Sequence, residues 1–162
     1  GRILLGGDEI AFTPENSFAT LDFGRGVWPY QGFWNWASFS TRLPDGSTLG
    51  GNFGAGWTDN TGSTENALCV DGRLIKLSED VIFSYSTQNF KSPWKLRTAE
   101  TKRVDLTFTP FFERVAKTDM VVIRSEVHQM IGHFDGMMLG ENGEAIEVRR
   151  AVGWAEDHHA RW

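Results

Sequence analysis

Cysteine is nearly absent. The one thiol, Cys69, excludes an internal disulfide, so the fold has to stand on packing. Cys69 lies in the apolar run Ala67-Leu68-Cys69-Val70, which marks a buried, unreactive side chain and fits a reducing, cytoplasmic compartment. Positive charge is in deficit: 16 Lys and Arg stand against 21 Asp and Glu, a net charge of −5. That balance argues against a nucleic-acid partner or an anionic membrane surface, both of which select for cationic excess. No apolar run reaches the ~18 residues that mark a membrane-spanning helix. The first residues, from Gly1, lack the charged-then-apolar pattern of a signal peptide. Helical periodicity is also scarce. The glycine-rich stretch at residues 50–56 has no Lys-Ser/Thr after it, which removes a phosphate loop, and the lack of Gly-x-Ser-x-Gly removes a hydrolase elbow.

Aromatic side chains are abundant. Seven Trp and 12 Phe in 162 residues give enough apolar area for one well-filled core. Short apolar, β-branched runs recur between Gly, Asp, Asn and Pro, which is an all-β pattern. Asp71-Gly72 and Asn142-Gly143 are hairpin signals; Asp45-Gly46, opened by Pro44, and Asp135-Gly136 read as further turns. Val81, Phe83 and Tyr85 alternate with Ile82, Ser84 and Ser86. Val104, Leu106 and Phe108 alternate with Asp105, Thr107 and Thr109, and Pro110 is expected to end that strand. The polar stripe Arg124, Glu126, His128 lies opposite Val127 and Ile131 and is expected to face solvent. Roughly ten strands joined by short turns imply an antiparallel up-and-down β-barrel, with a two-sheet sandwich as the alternative. Thr13 and Pro14 predict a short helical turn over residues 14–20.

Four segments carry candidate chemistry. In Trp34-Asn35-Trp36 the two indoles share one side of a strand and Asn35 takes the other. They suit a flat apolar wall for a ring or polyene, or else they fill the core. Trp57 closes the glycine-rich stretch, whose glycines fit strand bending better than ligand cradling. Asp59, Glu65 and Asn66 place two carboxylates and an amide near strand ends, where different environments can split acid from base. In the closing segment Trp154, Glu156 and His158 share one face, and Asp157, His159 and Arg161 the other. Glu156 or Asp157 with His128 makes an acid/base candidate. Adjacent histidines on a strand point apart, so no spacing calls for a metal, and no cofactor motif is present.

Several of these stretches occur together in one known family. Trp28-Pro29-Tyr30, Trp34-Asn35-Trp36-Ala37-Ser38, Thr64-Glu65-Asn66-Ala67-Leu68 with Val70-Asp71-Gly72, and Asp105-Leu106-Thr107-Phe108-Thr109-Pro110 resemble a bacterial domain-of-unknown-function family, number 2804. So do Ser125-Glu126-Val127-His128-Gln129 and Gly153-Trp154-Ala155-Glu156-Asp157 with Arg161-Trp162. The resemblance implies a longer, two-barrel parent in which residues 1–162 form the C-terminal barrel. It also implies a distant, lipocalin-like and calycin-like kinship with hydroxyneurosporene synthase and tocopherol cyclase, which handle terpenoid substrates.

Three functional expectations follow. The first is a barrel binding a hydrophobic small molecule against Trp34, Trp36, Trp57 and Trp154 with Asn35 and Asn66. The second is a hydratase, cyclase or isomerase using Glu65, Asp59, Glu156 or Asp157 as acid with His128 as partner. The third is a structural half that docks onto a second barrel of the same parent protein.

Overall fold

A computed structural model describes residues 1–56 and 63–162. The described chain forms eleven strands and no helix: β1 (Arg2–Leu5), β2 (Asp8–Ala11), β3 (Gln31–Arg42), β4 (Thr48–Ala55), β5 (Ala67–Val70), β6 (Arg73–Lys76), β7 (Val81–Ser84), β8 (Trp94–Thr98), β9 (Val104–Asp119), β10 (Arg124–Leu139) and β11 (Ala145–Arg161). β1 and β2 make a separate hairpin. The other nine form one antiparallel sheet in the order β6-β5-β4-β3-β11-β10-β9-β8-β7, curled into a half-barrel. Each strand pairs with its neighbour in sequence except across β6 and β7, and β11 returns to pair with β3. This is up-and-down barrel connectivity with a seam between β6 and β7. Asn66 bridges the seam: its side-chain amide donates to the Glu79 carbonyl (3.0 Å) and its own carbonyl accepts from the Leu77 N–H (2.9 Å).

Local sequence explains most of these elements. Asp71 (φ 47°) and Gly72 (φ 79°) make the two-residue turn between β5 and β6, as the Asp-Gly pair requires. Val81, Val104, Leu106 and Phe108 are buried on the inner face, as their alternation implies. That face gathers Phe39, Phe53, Trp94, Phe108, Phe134, Met130 and Met138 into a continuous core with almost no exposed area. Ala151, Gly153 and Ala155 on β11 are small, which leaves room for the Phe39 and Phe134 rings, 5.1 Å apart.

Three expectations need correction. β9 does not stop at Pro110 but runs on to Asp119, with the register against β10 shifting between Ile131 and Gly132. The irregularity takes up the ladder bond that proline cannot donate. Asp135-Gly136 is likewise no turn: it sits inside β10, where the register against β11 shifts and Gly136 has φ 141°. Over residues 14–20 there is a single turn, with the Ser17 N–H on the Thr13 carbonyl at 3.0 Å, after which the segment takes no regular structure. The turn does not propagate because the segment has no apolar helical face to bury. Instead Arg42 holds it from below, through the Pro14 carbonyl (2.6 Å) and the Phe18 ring (5.8 Å).

Candidate functional site

The long strands β9, β10, β11 and β3 extend past the core, and their two faces carry different chemistry. On β3, Asn35, Ala37 and Phe39 point to the inner face, while Trp34 and Trp36 point to the outer one. Register carries the outer set across the sheet: Trp34 pairs with His158, Trp36 with Glu156, and Glu156 in turn with Gln129. Over this surface passes the chain at Leu21, Asp22 and Phe23, enclosing a cleft of about 540 Å³.

Each indole in the cleft is fixed. Trp36 donates from Nε1 to Asn52 Oδ1 (2.8 Å) and meets Trp154 edge-on at 5.2 Å. Trp34 lies 4.0 Å from the His158 ring, whose Nε2 is 2.9 Å from Ser125 Oγ. Burial pushes the His158 imidazole below its ordinary pKa, so it is neutral at pH 7. Trp154 Nε1 is a buried donor with no acceptor among the described residues.

Three carboxyl groups line the same cleft, Asp22 on the covering segment and the two glutamates Glu156 and Glu65. Glu156 is buried, 8% exposed, and takes a hydrogen bond from Gln129 Nε2 on Oε1 (2.5 Å). Glu65 stands at the rim, with its Oε2 3.3 Å from Asn52 Nδ2, and its carboxyl lies over Gly54, where a Cβ would collide with it. Desolvation raises both above the ordinary glutamic acid value, and the Asp22 carboxylate on the covering segment adds to the effect. The amides of Asn52 and Gln129 work in the opposite direction. Arg114 completes the lining and also lowers Glu156.

The inner face at the same level holds a second polar group. Asp157, 2% exposed, accepts from the Tyr85 hydroxyl (2.5 Å) and lies 3.0 Å from His159 Nε2. Asn35 Nδ2 donates to Tyr85 Oη (2.9 Å) and to the Glu156 carbonyl (3.0 Å). Burial, and then the bond to Asp157, push the Tyr85 phenol well above its ordinary value, so it stays a donor. His128 sits across the strand pair from Asp157, with Nδ1 2.9 Å from Glu113 Oε1 and its ring stacked on Phe90 at 4.2 Å. The stripe Arg124, Glu126, His128 therefore continues the inner face of Met130 instead of facing outward, a further correction. Tyr85→Phe leaves a buried carboxylate short of one donor. The expected result is a loss of about 1–3 kcal/mol of stability in urea unfolding.

The sheet thus sorts the sequence candidates. Trp34, Trp36, Trp154, Glu65 and Glu156 meet on the outer face; Asn35, His128 and Asp157 meet on the inner one. Asn66 belongs to neither, since its amide is spent on the Gly54 N–H (2.7 Å) and on the seam. Trp57 and Asp59 lie outside the described residues. Sequence reasoning missed Gln129, Asn52, Arg114 and Tyr85. Gln129 carried a signal, being the polar interruption between Val127 and Ile131. Among the described residues no cluster of three or more His, Cys, Asp or Glu could hold a metal, and no helix is long and apolar enough to cross a membrane.

Fold and site together define an all-β protein of the up-and-down half-barrel class, with a packed aromatic core and an aromatic, carboxyl-lined cleft outside it. A family model for a domain of unknown function, DUF2804, matches residues 1–162, and the chain belongs to that family. No curated protein and no solved structure matches the chain.

Proposed function

We propose that the outer cleft binds a small molecule with a flat or extended apolar body and one polar end. The observation that carries this reading is the cleft itself: about 540 Å³, with two fixed indoles and three carboxyl groups in its lining. Its size is that of a small-molecule site, and its lining is mixed, with Leu21, Phe23, Trp34, Trp36 and Val127 beside a larger set of polar side chains. The core across the sheet is filled by Phe39, Phe53, Trp94, Phe108 and Phe134.

Farnesol, an isoprenoid alcohol, is a suitable probe. Tryptophan emission should be quenched saturably on titration, and Trp36→Ala should weaken binding by about tenfold, the worth of a buried aromatic contact. Trp34→Ala should act in the same direction. Binding that survives both substitutions would place the ligand elsewhere.

A second reading, acid catalysis on an unsaturated substrate, is favoured by the raised pKa of Glu156 beside the indoles. The Glu156 O–H bond breaks and its proton forms a C–H bond with the electron pair of a carbon–carbon double bond. Water then adds to the resulting carbocation and returns a proton to the carboxylate. Incubating an isoprenoid alkene with the protein in D2O and finding deuterium at carbon supports this reading; an unlabelled, unchanged alkene argues against it.

A further inference from the structure

A second pocket, of about 560 Å³, opens on the inner face at the far end of the long strands, lined by Gln31, Phe33, Arg124, Glu126, His159 and Arg161. Trp34 and Phe33 are adjacent on β3 and point to opposite faces, so this pocket and the outer cleft are separate sites.

Arg124 and Arg161 are directly opposite each other in the β10–β11 ladder. Like charges in that position repel, and among the described residues no acidic side chain bridges the two. The nearest partner of Arg124 is Asp119, 3.5 Å from its Nε. The Arg161 side chain has no hydrogen bond or ion pair among the described residues, and its Nε is buried without an acceptor. A buried guanidinium N–H left unpaired is costly unless a ligand supplies the acceptor. Glu126 does not fill that role, because its carboxylate is engaged by Lys117 (2.9 Å) and approached by His128 (3.5 Å). Phe33 forms an apolar wall beside them, with its ring 4.7 Å from that of His159.

We propose that this pocket binds the oxyanion of a small molecule, a carboxylate or a phosphate monoester, between Arg124 and Arg161, with the apolar body of the ligand against Phe33. Two guanidinium groups give paired N–H donors to one planar or tetrahedral anion, a geometry that lysine does not provide. The pocket needs no contribution from the outer cleft, so either proposal can fail without the other.

Isothermal titration with benzoate and with phenyl phosphate at low salt tests it, with phenol as the neutral comparator. At least one anion should bind and phenol should not; which anion binds assigns the class. Arg161→Met and Arg124→Met should each weaken binding by about tenfold or more, the worth of a charge-assisted hydrogen bond. A readout on the unmutated protein guards against misfolding of the variants: the Arg161 Nε–H resonance should shift along the same titration curve. Absence of binding by both anions, or binding retained in both variants, overturns the proposal. So does a dimer in light scattering, without added anion, that either substitution disperses, since the arginine pair would then be a protein contact.

Discussion

Trp94→Ala should cost ~3–5 kcal/mol of folding stability, the range for truncating a fully buried aromatic. Trp94 has no exposed area, stacks on Tyr85 at 3.9 Å and meets Phe108 edge-on at 6.3 Å. Its Nε1 also donates to the Phe90 carbonyl (2.9 Å), a bond that holds the loop before β8 and has no substitute in alanine. Total stabilities of single domains are ~5–15 kcal/mol, so the variant should be close to unfolded at 37 °C. Trp34→Ala, on the outer face, should cost clearly less in the same urea titration. Equal losses at the two positions would mean that Trp34 belongs to the core and that the two faces have been assigned wrongly.

Glu156→Gln should move stability and activity in opposite directions. The folded-state pKa of Glu156 lies above the ordinary 4.5, chiefly through desolvation. A carboxyl raised in this way contributes its full stability below the unfolded pKa and loses that contribution as pH rises through the folded value. Glutamine does not titrate and can still accept from Gln129. The variant should therefore gain stability relative to wild type between pH 4 and pH 7, with a smaller difference at the acidic end. Urea unfolding at the two pH values measures this directly, and a difference that is constant or larger at pH 4 would contradict an upward shift at Glu156. Under the acid-catalysis reading the same substitution removes the proton donor, with an expected loss of about 10²–10⁴-fold in rate. Stability purchased at the expense of activity is the usual mark of a strained functional group.

Much of this fold was legible in the sequence, and the parts that were not share a physical cause. Alternation placed Val81, Phe83 and Tyr85 together and Val104, Leu106 and Phe108 together, and Asp71-Gly72 marked its hairpin, because these signals are local. Pro110 and Asp135-Gly136 were read as strand ends because bulges use the same residues as turns, and only pairing with the neighbouring strand tells them apart. Parity along a strand likewise divides side chains into two sets without saying which set is inside. On β3 the larger pair, Trp34 and Trp36, lies outside, and Ala37 and Phe39 lie inside. The choice is made by β11, where Ala151, Gly153 and Ala155 leave space for Phe39, and no reading of β3 alone contains that information. For the same reason Glu156 and Asp157, adjacent in sequence, serve different faces, and their partners come from different elements, Gln129 on β10 and Tyr85 just after β7.

The central claim is that the ligand site is the outer cleft. Seven tryptophans give seven indole N–H signals in a two-dimensional ¹⁵N NMR spectrum, each assignable by single substitution. On titration with farnesol the Trp34 and Trp36 signals should shift, with Trp154 following, while Trp94, packed on Tyr85 in the core, stays in place. Movement of Trp94 with Trp34 and Trp36 unchanged would put the ligand inside the half-barrel and contradict the account.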